Sequence, residues 1–285
     1  MPELPEVETV RRGLQPAMEG ARFDEVHAHR GDLRWPLPKD LAARLKGQTV
    51  TGLGRRAKYL LADTSTGDVL LMHLGMSGSF RVIRDGKEVK AGSYYHERSN
   101  YGLHDHVVFR MSSGATIAFN DPRRFGCMKL FRRDAIDDEP LLRALGPEPL
   151  SPEFCATHLH ARTRGRRASI KETLMNSHMV VGVGNIYASE ALFRAGVHPR
   201  TPAGRLSLPR CARLVESVRF TLQAAIDAGG SSLRDWFQAD GASGYFQQAY
   251  FVYGRAHEPC RQCSAPIREI RQGQRATFYC PRCQR

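Results

Sequence analysis

CRQCSAPIREIRQGQRATFYCPRC, residues 260–283, carries two Cys-x2-Cys pairs separated by sixteen residues. This is the spacing of four-thiolate zinc sites, in which each pair forms a knuckle that donates two sulfurs. Cys260, Cys263, Cys280 and Cys283 are therefore read as the ligands of one structural Zn2+ ion, with a rubredoxin-like iron site as the alternative use of the same donors. A closed set of four sulfurs leaves no coordination position for chemistry. Between the pairs, "APIREI" and "RATFYC", joined at Gln272-Gly273, read as a β-hairpin. Arg261, Arg268, Arg271, Arg275 and Arg282 make that hairpin strongly basic, which suits a phosphate backbone. Cys127, Cys155 and Cys211 are scattered singly and read as ordinary buried thiols.

Upstream of the hairpin the pattern is helical. Ser207 to Ala228 places Leu214, Val215, Val218, Leu222 and Ile226 along one stripe, with Gly229-Gly230 as its stop. "VVGVGNIYASEALFRAG" (180–196) reads as a glycine turn entering a helix, with Asn185 at the N-cap and Gly196 as the closing residue. Gly182 and Gly184 would let the backbone approach a ligand, and free amides at a helix start favour an anion. "RRASIKETLMNS" (166–177) is a further helix, preceded by Arg162, Arg164, Arg166 and Arg167. The pair fits either a phosphate-binding helix–two-turn–helix or a helical hairpin whose glycines serve packing. "GGSSLRDWFQADGASGYFQQ" (229–248) reads as a loop or connector. Asp137 to Pro152, rich in Pro and acidic residues, reads as a linker with one short helix.

The first half contains short apolar runs broken by Gly, Pro and charged turns: "RFDEVHAHR", "QTVTGLGRRAKYLLAD", "GDVLLMHL", "HVVFRM", "ATIAFN" and "CMKLF". They predict an antiparallel sandwich or barrel. The fold class expected is α+β, an N-terminal antiparallel β-sandwich with a leading helix, then a helical domain and the zinc hairpin. The segments are 1–135, a linker at 136–150, 151–245 and 246–285. Within the strands, Lys58 follows Arg55-Arg56 and fits a strand edge. "HLGMSGSF" sets Met76 between glycines, and "NDPRRFG" sets Phe125 two residues after Arg123. Each is either an ordinary turn or an exposed apolar finger of the kind that unstacks duplex DNA. His104 and His106 in "LHDHVV" share one strand face without an evident third metal ligand. Arg84 to Leu103 reads as an inserted hairpin or loop.

The 285 residues carry a net charge of +13, and only seven of the 42 basic residues are lysine. A polyanionic partner is implied, nucleic acid before an acidic membrane. No apolar run of ~18 residues predicts a membrane span. The terminus lacks the layout of a signal peptide, so a cytoplasmic protein is expected. The chain opens Met1-Pro2-Glu3-Leu4-Pro5-Glu6. Met before a small second residue is normally removed, which predicts a mature terminus at Pro2. Its secondary amine would titrate near neutrality and attack a carbonyl-like carbon to give an iminium with no proton to lose. Pro5 suits a first helical turn, and Val7, Val10, Leu14 and Met18 recur at helical spacing. An acid-capped helix with no catalytic role is the plain reading of the same residues.

"MPELPEVETVRRGL" resembles the opening of bacterial formamidopyrimidine-DNA glycosylases, of the Fpg/endonuclease VIII family. "HLGMSGS", "DPRRFG", "VVGVGNIYASE" and the zinc hairpin extend the resemblance, in the same order, through the middle and to the C-terminus. The resemblance implies a monomeric, bifunctional DNA glycosylase/AP lyase of base excision repair. It would act on damaged double-stranded DNA, with oxidised purines such as 8-oxoguanine and formamidopyrimidines as substrates and the nucleoid as its place of work. It also implies roles: Pro2 as nucleophile, Glu3 as proton shuttle, Lys58 at the damaged nucleotide and Arg275 as phosphate clasp. Met76, Arg123 and Phe125 would fill the gap left by the everted nucleotide. His104, Arg167, Lys171 and Asn185 would meet the DNA backbone, and the 229–248 loop would cover the extruded base. The chain departs from the family at Asn176, where Asp is usual, and in the length of Arg84–Leu103. An endonuclease VIII-like enzyme for oxidised pyrimidines and a non-catalytic zinc nucleic-acid-binding protein are the alternatives.

Overall fold

The computed structural model describes residues 1–85, 87–91, 93–94, 102–230, 236–237 and 250–285. The chain divides into two compact units, Met1–Arg143 with Ala228–Tyr245, and Ala144–Asp227 with Phe246–Arg285. This division groups the zinc hairpin with the helices in one unit and returns Ala228–Tyr245 to the first, whereas the sequence suggested consecutive segments.

In the first unit, α1 (Leu4–Met18) starts after Glu3 with Pro5 in its first turn. Its buried stripe of Leu4, Val7, Val10, Leu14 and Met18 is the one the helical spacing predicts. A five-stranded antiparallel sheet runs in the order β1 (Phe23–Ala28), β8 (Asp105–Met111), β9 (Thr116–Asn120), β5 (Ser79–Arg84) and β6 (Lys87–Ala91). A four-stranded antiparallel sheet runs β10 (Cys127–Arg132), β4 (Asp68–His73), β3 (Tyr59–Thr64) and β2 (Val50–Arg56). The short helix α2 (Leu41–Leu45) lies between β1 and β2. Two-residue strands β7 (Ser93–Tyr94) and β11 (Trp236–Phe237) pair with each other.

One core joins α1 to both sheets. Phe23, Phe80, Phe109 and Phe119 enter it from the first sheet, and Leu53, Leu60, Leu70, Met72 and Met128 from the second. Each such side chain contributes roughly 1.5–3 kcal/mol on burial. The inserted stretch Arg84–Leu103 thus contains an edge strand, β6; residues 86, 92 and 95–101 lie outside the described residues. Most of the 229–248 loop, read as a cover for the extruded base, lies outside them as well.

The second unit contains α3 (Ala156–Thr163), α4 (Ile170–Leu174), α5 (Asn185–Arg194), α6 (Leu208–Asp227) and the hairpin β12 (Arg268–Gln272) with β13 (Arg275–Tyr279). Ser169 caps α4 by accepting the Glu172 N–H. The N-cap of α5 is Gly184, not Asn185, which is the first helical residue. That shift frees the Asn185 side chain from capping. The hairpin turn is likewise one residue later than the sequence suggested: Gln272 pairs with Arg275, and Gly273 and Gln274 both take positive φ, 50° and 63°. Two consecutive left-handed residues match the twist of the strands they join.

Glu190, on α5, anchors the chain that leads to the zinc hairpin. Its buried carboxylate accepts the N–H groups of Phe251, Val252 and Tyr253 at 2.9, 3.0 and 2.8 Å. Burial pushes its pKa up, and these three bonds pull against that shift. Glu190→Ala strands three backbone donors, so urea unfolding is expected to show a loss of roughly 3 kcal/mol.

Candidate functional site

In the first unit, the chain terminus opens onto a cavity of about 600 Å3 lined by Met1, Leu33, Arg34, His73, Met76, Arg123 and Phe125, among others. Pro2, Glu3 and Glu6 are buried. The Glu3 N–H donates to a Glu6 carboxylate oxygen at 2.8 Å, which locks the first turn of α1. Burial lowers the pKa of the Met1 α-amino group; the charges of Lys58 and Arg123 lower it further, while those of Glu3 and Glu6 raise it. The terminus therefore has a larger neutral fraction than a free peptide amine. Four side chains far apart in sequence, Glu3, Glu6, Lys58 and Arg123, thus act electrostatically on one nitrogen.

Lys58 reaches this site from a hairpin tip rather than a strand edge. Arg56 pairs with Tyr59, so Ala57 and Lys58 form a two-residue turn, with Ala57 at φ 55°. Arg55 ties the hairpin down. Its guanidinium donates to the Ala57 carbonyl at 2.9 Å and pairs with Glu8 of α1 at 3.2 Å. The helix that carries the terminus thus also holds the turn that carries Lys58.

Met76 and Phe125 are exposed apolar side chains at the cavity rim, 36% and 42% accessible. Arg123 lies over the Phe125 ring, 4.7 Å from its centroid. His104 is partly exposed, while His106 is buried and hydrogen-bonds through Nε2 to the Asp121 carbonyl at 2.9 Å. The two rings lie 6.4 Å apart.

In the second unit, Lys171 is 1% exposed. Its ammonium donates to Asn185 Oδ1 at 2.6 Å, Thr277 Oγ1 at 2.6 Å and the Ala276 carbonyl at 3.2 Å. Asn185 Nδ2 donates to the same carbonyl at 3.0 Å. One buried cation therefore joins α4, the start of α5 and β13 beside Arg275. Arg275 and Arg167 are exposed, whereas the neighbouring Arg164 and Arg166 donate to the carbonyls of His160, Leu206 and Arg162. The structure places Lys171 inward, whereas Arg167 and Arg275 lie on an exposed surface that also carries Arg162, Arg164, Arg166, Arg268 and Arg271.

The four cysteine sulfurs lie within 4.8 Å of one another. Cys260 and Cys283 are 3.9 Å apart, and Cys263 and Cys280 3.4 Å. Tetrahedral zinc with bonds of about 2.3 Å requires sulfur separations near ~3.8 Å, so the donor set fits. The N–H groups of Gln262 and Cys283 point to the Cys260 and Cys280 sulfurs at 3.4 Å, a knuckle pattern that stabilises thiolates. A zinc ion here would cross-link the two ends of the hairpin.

The chain matches three family models: the formamidopyrimidine-DNA glycosylase N-terminal domain over residues 1–128, the H2TH domain of the same enzyme over 145–236, and the zinc finger found in FPG and IleRS over 258–285. It is 57% identical to a formamidopyrimidine-DNA glycosylase from Rhodopseudomonas palustris over all of both chains. The identity is 56% to one from a Bradyrhizobium strain, again over both full lengths. The chain belongs to the formamidopyrimidine-DNA glycosylase family. Among solved structures, MutM (FPG) from Thermus thermophilus superposes with a TM-score of 0.84 at 36% identity, covering 99% of this chain and 98% of that one. A Lactococcus lactis FPG mutant bound to Fapy-dG-containing DNA gives a TM-score of 0.87 at 32% identity with full coverage of both.

For this glycosylase-family chain, the sequence singled out Met76, Arg123 and Phe125 at the cavity but missed Asp32, Leu33, Arg34, His73 and Arg124. His73 is the first residue of "HLGMSGSF", and its position at the end of β4 was the available signal. Its Nδ1 accepts the Gly75 N–H at 3.0 Å, so that nitrogen carries no proton. Burial, then the charges of Lys58 and Arg34, lowers its pKa from 6.5 to about 4. Nothing local marked Arg34. Among the described residues, no helix is long and apolar enough to cross a membrane.

Two outcomes follow from these geometries. Half-buried His73 binds its proton less readily than the unfolded chain does, so stability falls as pH drops from 6.5 toward about 4, and the loss is constant below. Thermal melts of His73→Asn are expected to be less sensitive than wild type across that window. Chelation with a membrane-permeant zinc ligand is expected to unravel the hairpin and abolish DNA binding while leaving the first unit folded, as read by limited proteolysis.

Proposed function

We propose that this protein is a bifunctional DNA glycosylase/AP lyase of base excision repair, excising 8-oxoguanine and formamidopyrimidines from duplex DNA as a monomer. The observation that carries the reading is the desolvated chain terminus beside Glu3, Lys58 and Arg123 at a cavity rimmed by Met76 and Phe125. Supporting it, Fpg relatives are crystallised with DNA containing Fapy-dG, an abasic site or carbocyclic 8-oxo-G. The net charge of +13 suits the same partner.

Removal of Met1 would leave the Pro2 secondary amine in the site. Phosphates of the damaged strand would be held by Arg275, Arg167, His104 and Asn185, with Lys171 fixing Asn185 and the hairpin. Met76, Arg123 and Phe125 would occupy the space of the everted nucleotide, offsetting its unstacking cost of a few kcal/mol. The Pro2 lone pair forms a bond to C1′ as the glycosidic bond breaks, and the proton of the attacking amine passes to the departing base. Glu3 protonates the sugar ring oxygen as the ring opens to the iminium. The cationic iminium acidifies C2′, so loss of a C2′ proton expels the 3′ phosphate. A second elimination from C4′ expels the 5′ phosphate. Lys58 stabilises the negative charge at the damaged nucleotide.

The work divides among residues 1–135 for chemistry, 136–150 as linker, 151–245 for backbone grip and 246–285 for the zinc hairpin. The place of action is the cytoplasm, on the nucleoid.

Borohydride trapping on a duplex with 8-oxoguanine opposite cytosine tests the reading. Wild type is expected to form a covalent adduct, and Pro2→Gly or an N-terminally extended chain to lose most of it. A wild-type protein that binds the duplex but neither traps nor cleaves it would refute the assignment.

A further inference from the structure

Met76 and the pair Arg123 and Phe125 come from separate loops, 74–78 and 121–126, and nothing in their own sequences fixes one relative to the other. The connection is Asp121, at the end of β9. It is 0% exposed. One carboxylate oxygen accepts the Ser77 hydroxyl at 2.5 Å, and the other accepts the Gly126 N–H at 2.7 Å. Ser77 Oγ in turn accepts the Arg123 N–H at 3.2 Å. The Asp121 backbone is held as well. Its N–H donates to the His104 carbonyl at 3.0 Å, and its carbonyl accepts His106 Nε2 at 2.9 Å and the Arg124 N–H at 3.1 Å.

The loops have no slack around this bracket. A Cβ on Gly75, which has φ +66°, would lie 2.3 Å from the Phe125 carbonyl carbon. A Cβ on Gly126 would lie 2.7 Å from the Phe119 ring and 2.8 Å from the His73 carbonyl. Arg124 takes φ 55°, so the loop turns at a non-glycine residue held by the Asp121 carbonyl. A buried carboxylate with both oxygens satisfied by neutral donors is costly to disturb, because either loop moving alone strands a charged acceptor.

We propose that Asp121 is a positioning residue that makes Met76, Arg123 and Phe125 a single preorganised wedge, and so sets how fast a stacked lesion leaves the duplex. The inference rests on the glycosylase reading above. Asp121 is buried and does not touch DNA; it acts through Ser77 and the 122–126 backbone. A preorganised wedge enters the base stack without first ordering its own side chains. The requirement applies only where a base must be displaced. A single-stranded abasic site has no stacked lesion to evict and needs only the terminus and its neighbours.

The test uses full-length, zinc-loaded wild type, Asp121→Ala, Asp121→Asn and Ser77→Ala, with zinc content and melting temperature measured for each. Two single-turnover rates are compared: excision of 8-oxoguanine opposite cytosine in duplex DNA, and cleavage of an abasic site in a single-stranded oligonucleotide. Asp121→Ala is expected to slow excision about 10- to 100-fold while single-strand cleavage stays within about twofold. Ser77→Ala, which keeps the carboxylate, is expected to show a smaller loss with the same split. Asp121→Asn is expected to restore part of the rate, because the Ser77 hydroxyl can rotate to accept from the amide. Unchanged excision in the Asp121 variants, or both rates falling together, overturns the inference and leaves the glycosylase assignment standing. Absence of excision by wild type overturns the assignment, and this inference with it.

Discussion

Chain ends are ordinarily the least ordered part of a protein, and fixing even one residue's backbone costs about 1–2 kcal/mol. Here the terminus is fixed by burial of the first turn of α1. Pro2, Glu3, Leu4, Pro5 and Glu6 are all buried, and the Glu3–Glu6 hydrogen bond closes the turn. The apolar stripe from Val7 to Met18 anchors that turn to a core shared by both sheets. A reactive group on a frayed terminus would spend most of its time elsewhere; on a packed helix it is held in one place.

That constraint organises its neighbours. Glu8, one turn on, holds Arg55 and with it the hairpin tip of Lys58. Burial lowers the terminal amine's pKa, and Lys58 and Arg123 add to the shift. Glu3 and Glu6 oppose it, so the carboxylates temper the loss of basicity rather than cause it. His73 is kept neutral at the same cavity by burial and by Lys58 and Arg34. The cavity therefore combines a terminal amine of lowered basicity with fixed cations, which suits an incoming polyanion.

The second unit uses a different device for the same end. Its central cation, Lys171, is turned inward, and its three acceptors come from α5 and β13. The exposed positive charge is carried by arginines, Arg167 and Arg275 among them, whose guanidiniums fork onto phosphates better than an ammonium does. Rigidity comes from the buried lysine and the cysteine cluster, and the exposed charge is arginine.

The sequence by itself determined the zinc ligands, the leading helix, the strand-rich first half and the glycine turn before α5. Each is encoded by residues close together in the chain: Cys-x2-Cys spacing, a period of 3.6, alternation, or a positive-φ glycine. Local pattern already failed by one residue at two places, where Gly184 rather than Asn185 caps α5 and Gly273-Gln274 rather than Gln272-Gly273 makes the hairpin turn. Both depend on which neighbour competes for a side chain or a strand partner. What only the tertiary structure decided rests on long separations: Ser77 bonding Asp121 across 44 residues and Lys171 bonding Thr277 across 106. The sequence offered Lys171 as a backbone contact and gave no sign of Asp121 as a bracket or of Arg34 at the cavity. A side chain's direction and partners are fixed by what packs against it, and no local spacing carries that information.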